Sequence, residues 1–86
     1  MLIGDPQAPA QQILFLEHLP EDSTDEMVEV LFNQFDGFAE VRMLPSRKDL
    51  AFVEFKTVQG AIKAREALNK FQLTPNHDLK ITFAKI

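Results

Sequence analysis

Apolar residues recur along this chain with two periods, two and about 3.6, and the switches between them mark out its elements. Residues 13–19 ("ILFLEHL") form a dense apolar run that ends at Pro20 and predict a strand. Ser23 and Glu26 have the spacing of a capping box and predict a helix start. Met27, Val28, Val30, Leu31, Phe32 and Phe35 would give that helix a broad apolar stripe, with Gly37 placed to end it. Residues 39–44 alternate as a second strand with Val41 and Met43 inward, and 45–49 predict a short turn. A third strand over 50–55 sends Ala51, Val53 and Phe55 to one face and Leu50, Phe52 and Glu54 to the other. Thr57 can cap a second helix, along which Val58, Ala61, Ala64, Leu68 and Phe71 recur at helical spacing. Residues 73–78 ("LTPNHD") read as a loop, and 79–84 as a last strand with Leu79, Ile81 and Phe83 inward. Residues 1–12 hold two prolines, one glycine and no periodicity, and read as a flexible leader or linker remnant before a domain over 13–86.

The element order is β-α-β-β-α-β, an α+β class. It predicts a ferredoxin-like sandwich: a four-stranded antiparallel sheet with two helices on one face. Right-handed crossovers put the strands at 13–19 and 50–55 in the centre, with 79–84 and 39–44 at the edges. One sheet face lies under helices and the other is open, so the open face is where function is to be sought. The fold alone decides nothing, because many activities share it.

Composition narrows the classes. The 86 residues are 45% hydrophobic, enough for one small core. There is no cysteine, which removes disulfides, thiolate metal sites and cysteine nucleophiles. His18 and His77 fall in separate predicted loops, so no metal site is expected, and no glycine-rich phosphate loop or nucleophile elbow occurs. The residues imply no enzyme and no cofactor. No apolar run approaches the roughly 18 residues of a membrane span, and no signal pattern is read at the start. The net charge of −4 hides an asymmetry: residues 1–40 carry nine acids and no Lys or Arg, whereas 41–86 carry nine bases and four acids. The acidic first helix reads as a solvated face, and the basic second helix as its pairing neighbour.

By alternation the open face shows Ile13, Phe15 and Glu17; Leu50, Phe52 and Glu54; Glu40, Arg42 and Leu44; and Lys80, Thr82 and Ala84. Phe15 and Phe52 thus sit on adjacent central strands as two exposed rings. Bases of single-stranded RNA stack on such platforms at roughly 1–3 kcal/mol each. Rings merely tolerated there, or covered by the leader or a partner protein, are the alternative.

At this point the residues resemble a known family. "LFLEHL" (14–19) is similar to the hexapeptide motif of RNA recognition motif domains. "KDLAFVEF" (48–55) resembles their octapeptide, with Lys48, Ala51, Phe52, Val53 and Phe55 matching. "ILFLEHLPED", "LFNQFDGFAEVRMLPSRKDLAFVEF" and "ITFAKI" look like the second, C-terminal such domain of the A and B-double-prime proteins of spliceosomal small nuclear ribonucleoproteins. The resemblance implies a nuclear, monomeric domain of a two-domain protein. Its implied partners are single-stranded RNA, small nuclear RNA or pre-mRNA, and spliceosomal proteins.

Departures from the motif weaken the expected surface. Leu50 stands where a third aromatic is usual, Asp49 replaces a glycine, and His18 replaces an asparagine. Glu17, Glu40 and Glu54 place carboxylates on the face a phosphate backbone would meet, with Arg42, Arg47, Lys48, Lys80 and Lys85 to offset them. The expected site is Phe15 and Phe52 stacking bases, Leu50 and Glu17 beside them, and Arg42, Arg47, Lys48 and Lys80 near phosphates. RNA binding is expected to be weak. A protein-interaction domain on the same scaffold, using the sheet face or the acidic helix, is the second reading.

Overall fold

The computed structural model describes residues 3–5 and 9–85, with the side chains of 3–5, 48, 73, 74 and 85 outside the description. Strands β1 (Ile3–Asp5), β2 (Ile13–Glu17), β3 (Phe38–Leu44), β4 (Arg47–Phe55) and β7 (Lys80–Lys85) form one antiparallel-paired sheet in the order β1-β7-β2-β4-β3. Helices α1 (Asp25–Phe32) and α2 (Val58–Leu68) pack on one side of it. The ferredoxin-like arrangement is therefore present, with β2 and β4 adjacent in the centre. The sheet has one more strand than the pattern predicts. Ile3–Asp5 pairs with the end of β7, so β7 is an interior strand and β1 takes the edge. A three-residue strand is too short to show a period, and the pairing is supplied by the unpaired edge of β7.

The core lies where alternation puts it. Leu14, Leu16, Ala51, Val53, Phe55, Leu79 and Ile81 from the sheet meet Val28, Phe32, Ala61, Ala64 and Leu68 from the helices. Phe55 sits between Phe32 and Phe38, edge to face, with ring centroids 6.4 and 6.1 Å away. Small residues let α2 settle closely on this layer. A Cβ built on Gly60 would lie 2.7 Å from the Asp36 carbonyl oxygen, so glycine is required there by contact.

Several boundaries differ from the periodic reading. The α1 cap is Thr24, whose Oγ1 accepts from the Met27 N–H at 3.2 Å, one residue after the predicted capping box. Ser23 is buried instead, and its hydroxyl has no partner among the described residues. Thr24→Ala should therefore cost about 1 kcal/mol, the usual value of an N-cap, while Ser23→Ala should be neutral or slightly stabilising. Urea denaturation of the two variants decides which residue caps.

The helix also stops at Phe32, and just beyond it the Gln34 side-chain amide donates to the Leu31 carbonyl, satisfying one of the orphan acceptors of the last turn. Val30, although inside the helix, lies on its solvent side and is 68% exposed, not part of the stripe, and Phe35 reaches the core from beyond the helix. Gly37, at φ +87°, makes the turn into β3.

The predicted turn over 45–49 shrinks to Pro45 and Ser46, since Leu44 pairs with Arg47. The predicted loop over 73–78 is a small hairpin of β5 (Gln72–Thr74) and β6 (His77–Asp78). α2 ends at Leu68, which leaves Phe71 44% exposed. None of the ion pairs among the described residues joins the two helices. Arg65 instead lies over the Phe83 ring at 5.3 Å and donates to the Ile81 carbonyl, tying α2 to β7. Among the described residues, no helix is long and apolar enough to cross a membrane.

Candidate functional site

The face opposite the helices is built by the strand pleat, with the predicted rings meeting at its centre. Phe15 on β2 and Phe52 on β4 are direct cross-strand partners, with centroids 5.0 Å apart and planes inclined by 47°. They are not equivalent. Phe52 is half-buried and presents part of its ring, while Phe15 is 8% exposed. The expectation of two exposed rings is thus corrected to one partly exposed ring backed by a buried one. Phe15 is flanked by Phe52 on one side and Thr82 on the other. Thr82 and Ala84, expected on the open surface, are also buried, because β7 has strands on both sides and small side chains there are shadowed by their neighbours. The Thr82 hydroxyl has no partner among the described residues. Alternation alone identifies the face a residue belongs to, and burial on that face depends on neighbouring strands.

The expected phosphate-binding cations are largely engaged. Arg42, directly across from Phe52, donates from Nε to Glu40 Oε2 at 2.8 Å. Arg47 grips Asp49 with two hydrogen bonds of 2.9 Å. Lys80 lies 3.5 Å from the Glu17 carboxylate, its register partner. The hydrogen bond from Arg42 holds the Glu40 carboxyl below the usual carboxylate range, and that from Arg47 does the same for Asp49. Both acids therefore stay ionised and keep neutralising the arginines near pH 7. Such exposed pairs add little stability, but they take up the charge a phosphate would need. Leu50 is half-buried on β4 and supplies apolar surface without a π face. The Lys48 and Lys85 side chains lie outside the described residues.

At the strand ends, His18 adopts φ 69°, a left-handed conformation in which Asn, Asp and His are enriched. That requirement explains how histidine can stand where the hexapeptide usually has asparagine. His18 and His77, read as belonging to separate loops, line one surface hollow of about 890 Å³ with Glu21, Arg47, Asp49 and Asn76. The hairpin bringing His77 there left no periodic trace in the sequence. Among the described residues, no group of three His, Asp or Glu is placed to hold a metal ion.

With this geometry in hand, comparison with known proteins is specific. Residues 14–80 match the model of the RNA recognition motif. The chain is 54% identical over 79 residues to U1 small nuclear ribonucleoprotein A of Drosophila melanogaster, covering 92% of this chain and 37% of that protein. It is 40% identical over 81 residues to U2 small nuclear ribonucleoprotein B″ of Oryza sativa subsp. indica, covering 94% and 35%. The chain thus spans roughly a third of the length of these relatives. Among solved structures, the MEC-8 C-terminal domain bound to AGCACA aligns with a TM-score of 0.75 and 28% identity, covering 87% of this chain and 92% of that one.

Proposed function

The chain belongs to the RNA recognition motif family, and on that premise we propose that it is a weak single-stranded RNA-binding module of a spliceosomal small nuclear ribonucleoprotein protein. One base stacks on Phe52, with Phe15 as the wall behind it, and the backbone passes Arg42, Arg47, Lys48 and Lys80. The observation that carries this reading is the partly exposed Phe52 ring held 5.0 Å from Phe15 at the sheet centre. The likeness to U1 A and U2 B″ proteins supports the splicing context, and with it a nuclear site of action and contacts with other spliceosomal proteins. In this reading the chain is the second, C-terminal RNA recognition motif of such a protein and acts as a monomeric, non-catalytic domain.

Weakness follows from the paired cations. An approaching phosphate must compete with Glu40 for Arg42, with Asp49 for Arg47 and with Glu17 for Lys80. The same pairing favours a second reading, in which the face docks a protein. NMR titration with single-stranded RNA hexamers tests the first. The amides around Phe52 are expected to shift, and the affinity to fall with salt at a slope magnitude of about two to three or less, since each neutralised phosphate contributes about 0.7 on single strands. Absence of shifts near Phe52 with every hexamer would overturn the RNA reading and leave the protein one. A much steeper slope would place the phosphates on another, more basic surface.

A further inference from the structure

Beside the Phe52 ring, the open face dips into a pocket of about 330 Å³ lined chiefly by Ile13, Glu40, Arg42, Leu44, Phe52 and Glu54. Its floor is apolar and aromatic, and its polar groups sit in a fixed order. Arg42 is directly across from Phe52 in the β3–β4 ladder, and Glu40 is directly across from Glu54. Two carboxylates opposite one another repel and weaken a sheet, so the Glu40–Glu54 pair is not explained by folding. Arg42 hydrogen-bonds Glu40 and attracts Glu54 only through space, so among the described residues no group donates a hydrogen bond to half-buried Glu54. Arg42 gives only its Nε to Glu40 among the described contacts, which leaves its terminal nitrogens to face a ligand. The pocket therefore offers a stacking surface, a guanidinium donor and an acceptor-only carboxylate to which no described residue donates.

Deepening the RNA reading on which it rests, we propose that this pocket selects guanine, stacked on Phe52 with O6 toward Arg42 and the adjacent N1–H and N2–H₂ donors on the Glu54 carboxylate. Guanine alone among the four bases shows two neighbouring N–H donors that match both oxygens of one carboxylate, next to a carbonyl that accepts from an arginine. Adenine and cytosine each show a single amino donor beside a ring-nitrogen acceptor. Uracil shows one N–H between two carbonyls, which a carboxylate repels. Unstacked bases of single-stranded RNA are read on this edge, and a partly buried carboxylate loses hydrogen bonds when the base beside it lacks the matching donors.

The test uses cytidine hexamers carrying one guanosine, adenosine or uridine at the third position, titrated into the 86-residue chain and followed by NMR at the Phe52 and Glu54 amides. The guanosine hexamer is expected to bind at least about fivefold tighter than the uridine one, a difference of about 1 kcal/mol by RT ln 5. Glu54→Gln, which presents one donor and one acceptor and can pair with uracil as well, should bring the two within about twofold. Removing a negative charge tightens all hexamers, so the ratio between them is the readout. Equal affinities in the unaltered chain, or a guanosine preference that survives Glu54→Gln, would overturn the assignment while leaving RNA binding intact. If an arginine-rich peptide shifts the Glu54 amide and none of the hexamers does, the pocket is a seat for a protein cation, and both the assignment and the RNA reading fall.

Discussion

Phe55→Ala is expected to lower folding stability by about 3–5 kcal/mol, the range for emptying a large aromatic side chain from a core. The ring is fully buried between Phe32 and Phe38 and beneath the close approach of Gly60. α2 is held close at Gly60, so the layer has little room to collapse into the space. A domain of this size has about 5–15 kcal/mol in all, and 1 kcal/mol moves its melting temperature by roughly 4–8 °C. The variant should therefore melt more than about 12 °C lower. Urea and thermal denaturation followed by circular dichroism check this, and a loss below about 1 kcal/mol would mean that Phe55 is not a core residue.

Phe52→Ala, three positions earlier on the same strand, should behave in the opposite way. Its ring points away from the helices, so the fold loses mainly the contact with Phe15, worth about 0.5–1.5 kcal/mol for an aromatic pair. RNA affinity should fall by about 1–3 kcal/mol, the value of one base stacked on an aromatic side chain. That corresponds to a loss of roughly five- to more than a hundredfold. Parallel measurement of melting temperature and of hexamer affinity separates the two effects. Equal stability losses for Phe52→Ala and Phe55→Ala would reverse the faces of β4. Retained affinity in a folded Phe52→Ala chain would move the RNA off this face.

The contrast between those neighbouring phenylalanines was legible from the chain because a strand sends successive side chains to opposite sides. The same rule placed Leu14 and Leu16 under the helices and Phe15 beyond them. Periodicity was less informative where elements end. The α1 cap moved from Ser23 to Thr24, because caps depend on hydrogen bonds that several nearby side chains could make. Two short pairings were not legible at all. Ile3–Asp5 on β7 and the β5–β6 hairpin are two or three residues long, and strands of that length carry no measurable alternation.

For the candidate site, residue identities came from the sequence and their states from the fold. The octapeptide and hexapeptide motifs named Phe15, Phe52 and the flanking charges, since local spacing on two strands is enough to select a face. Whether each ring reaches solvent was decided by the strands beside it: Phe15 is closed in by Phe52 and Thr82, and Phe52 is not. Whether each cation is available was decided by side-chain pairing, local for Arg42 with Glu40 and Arg47 with Asp49, and set by strand register for Lys80. The sequence names Arg42, Arg47 and Lys80 as bases near the open face, and the folded chain sets each against a carboxylate, at 2.8, 2.9 and 3.5 Å. The amino-acid sequence determined which chemical groups share the open face, because that follows from a period of two along each strand. Exposure, and the pairing of Lys80 with Glu17, were left to the tertiary structure, because both depend on groups brought from distant parts of the chain.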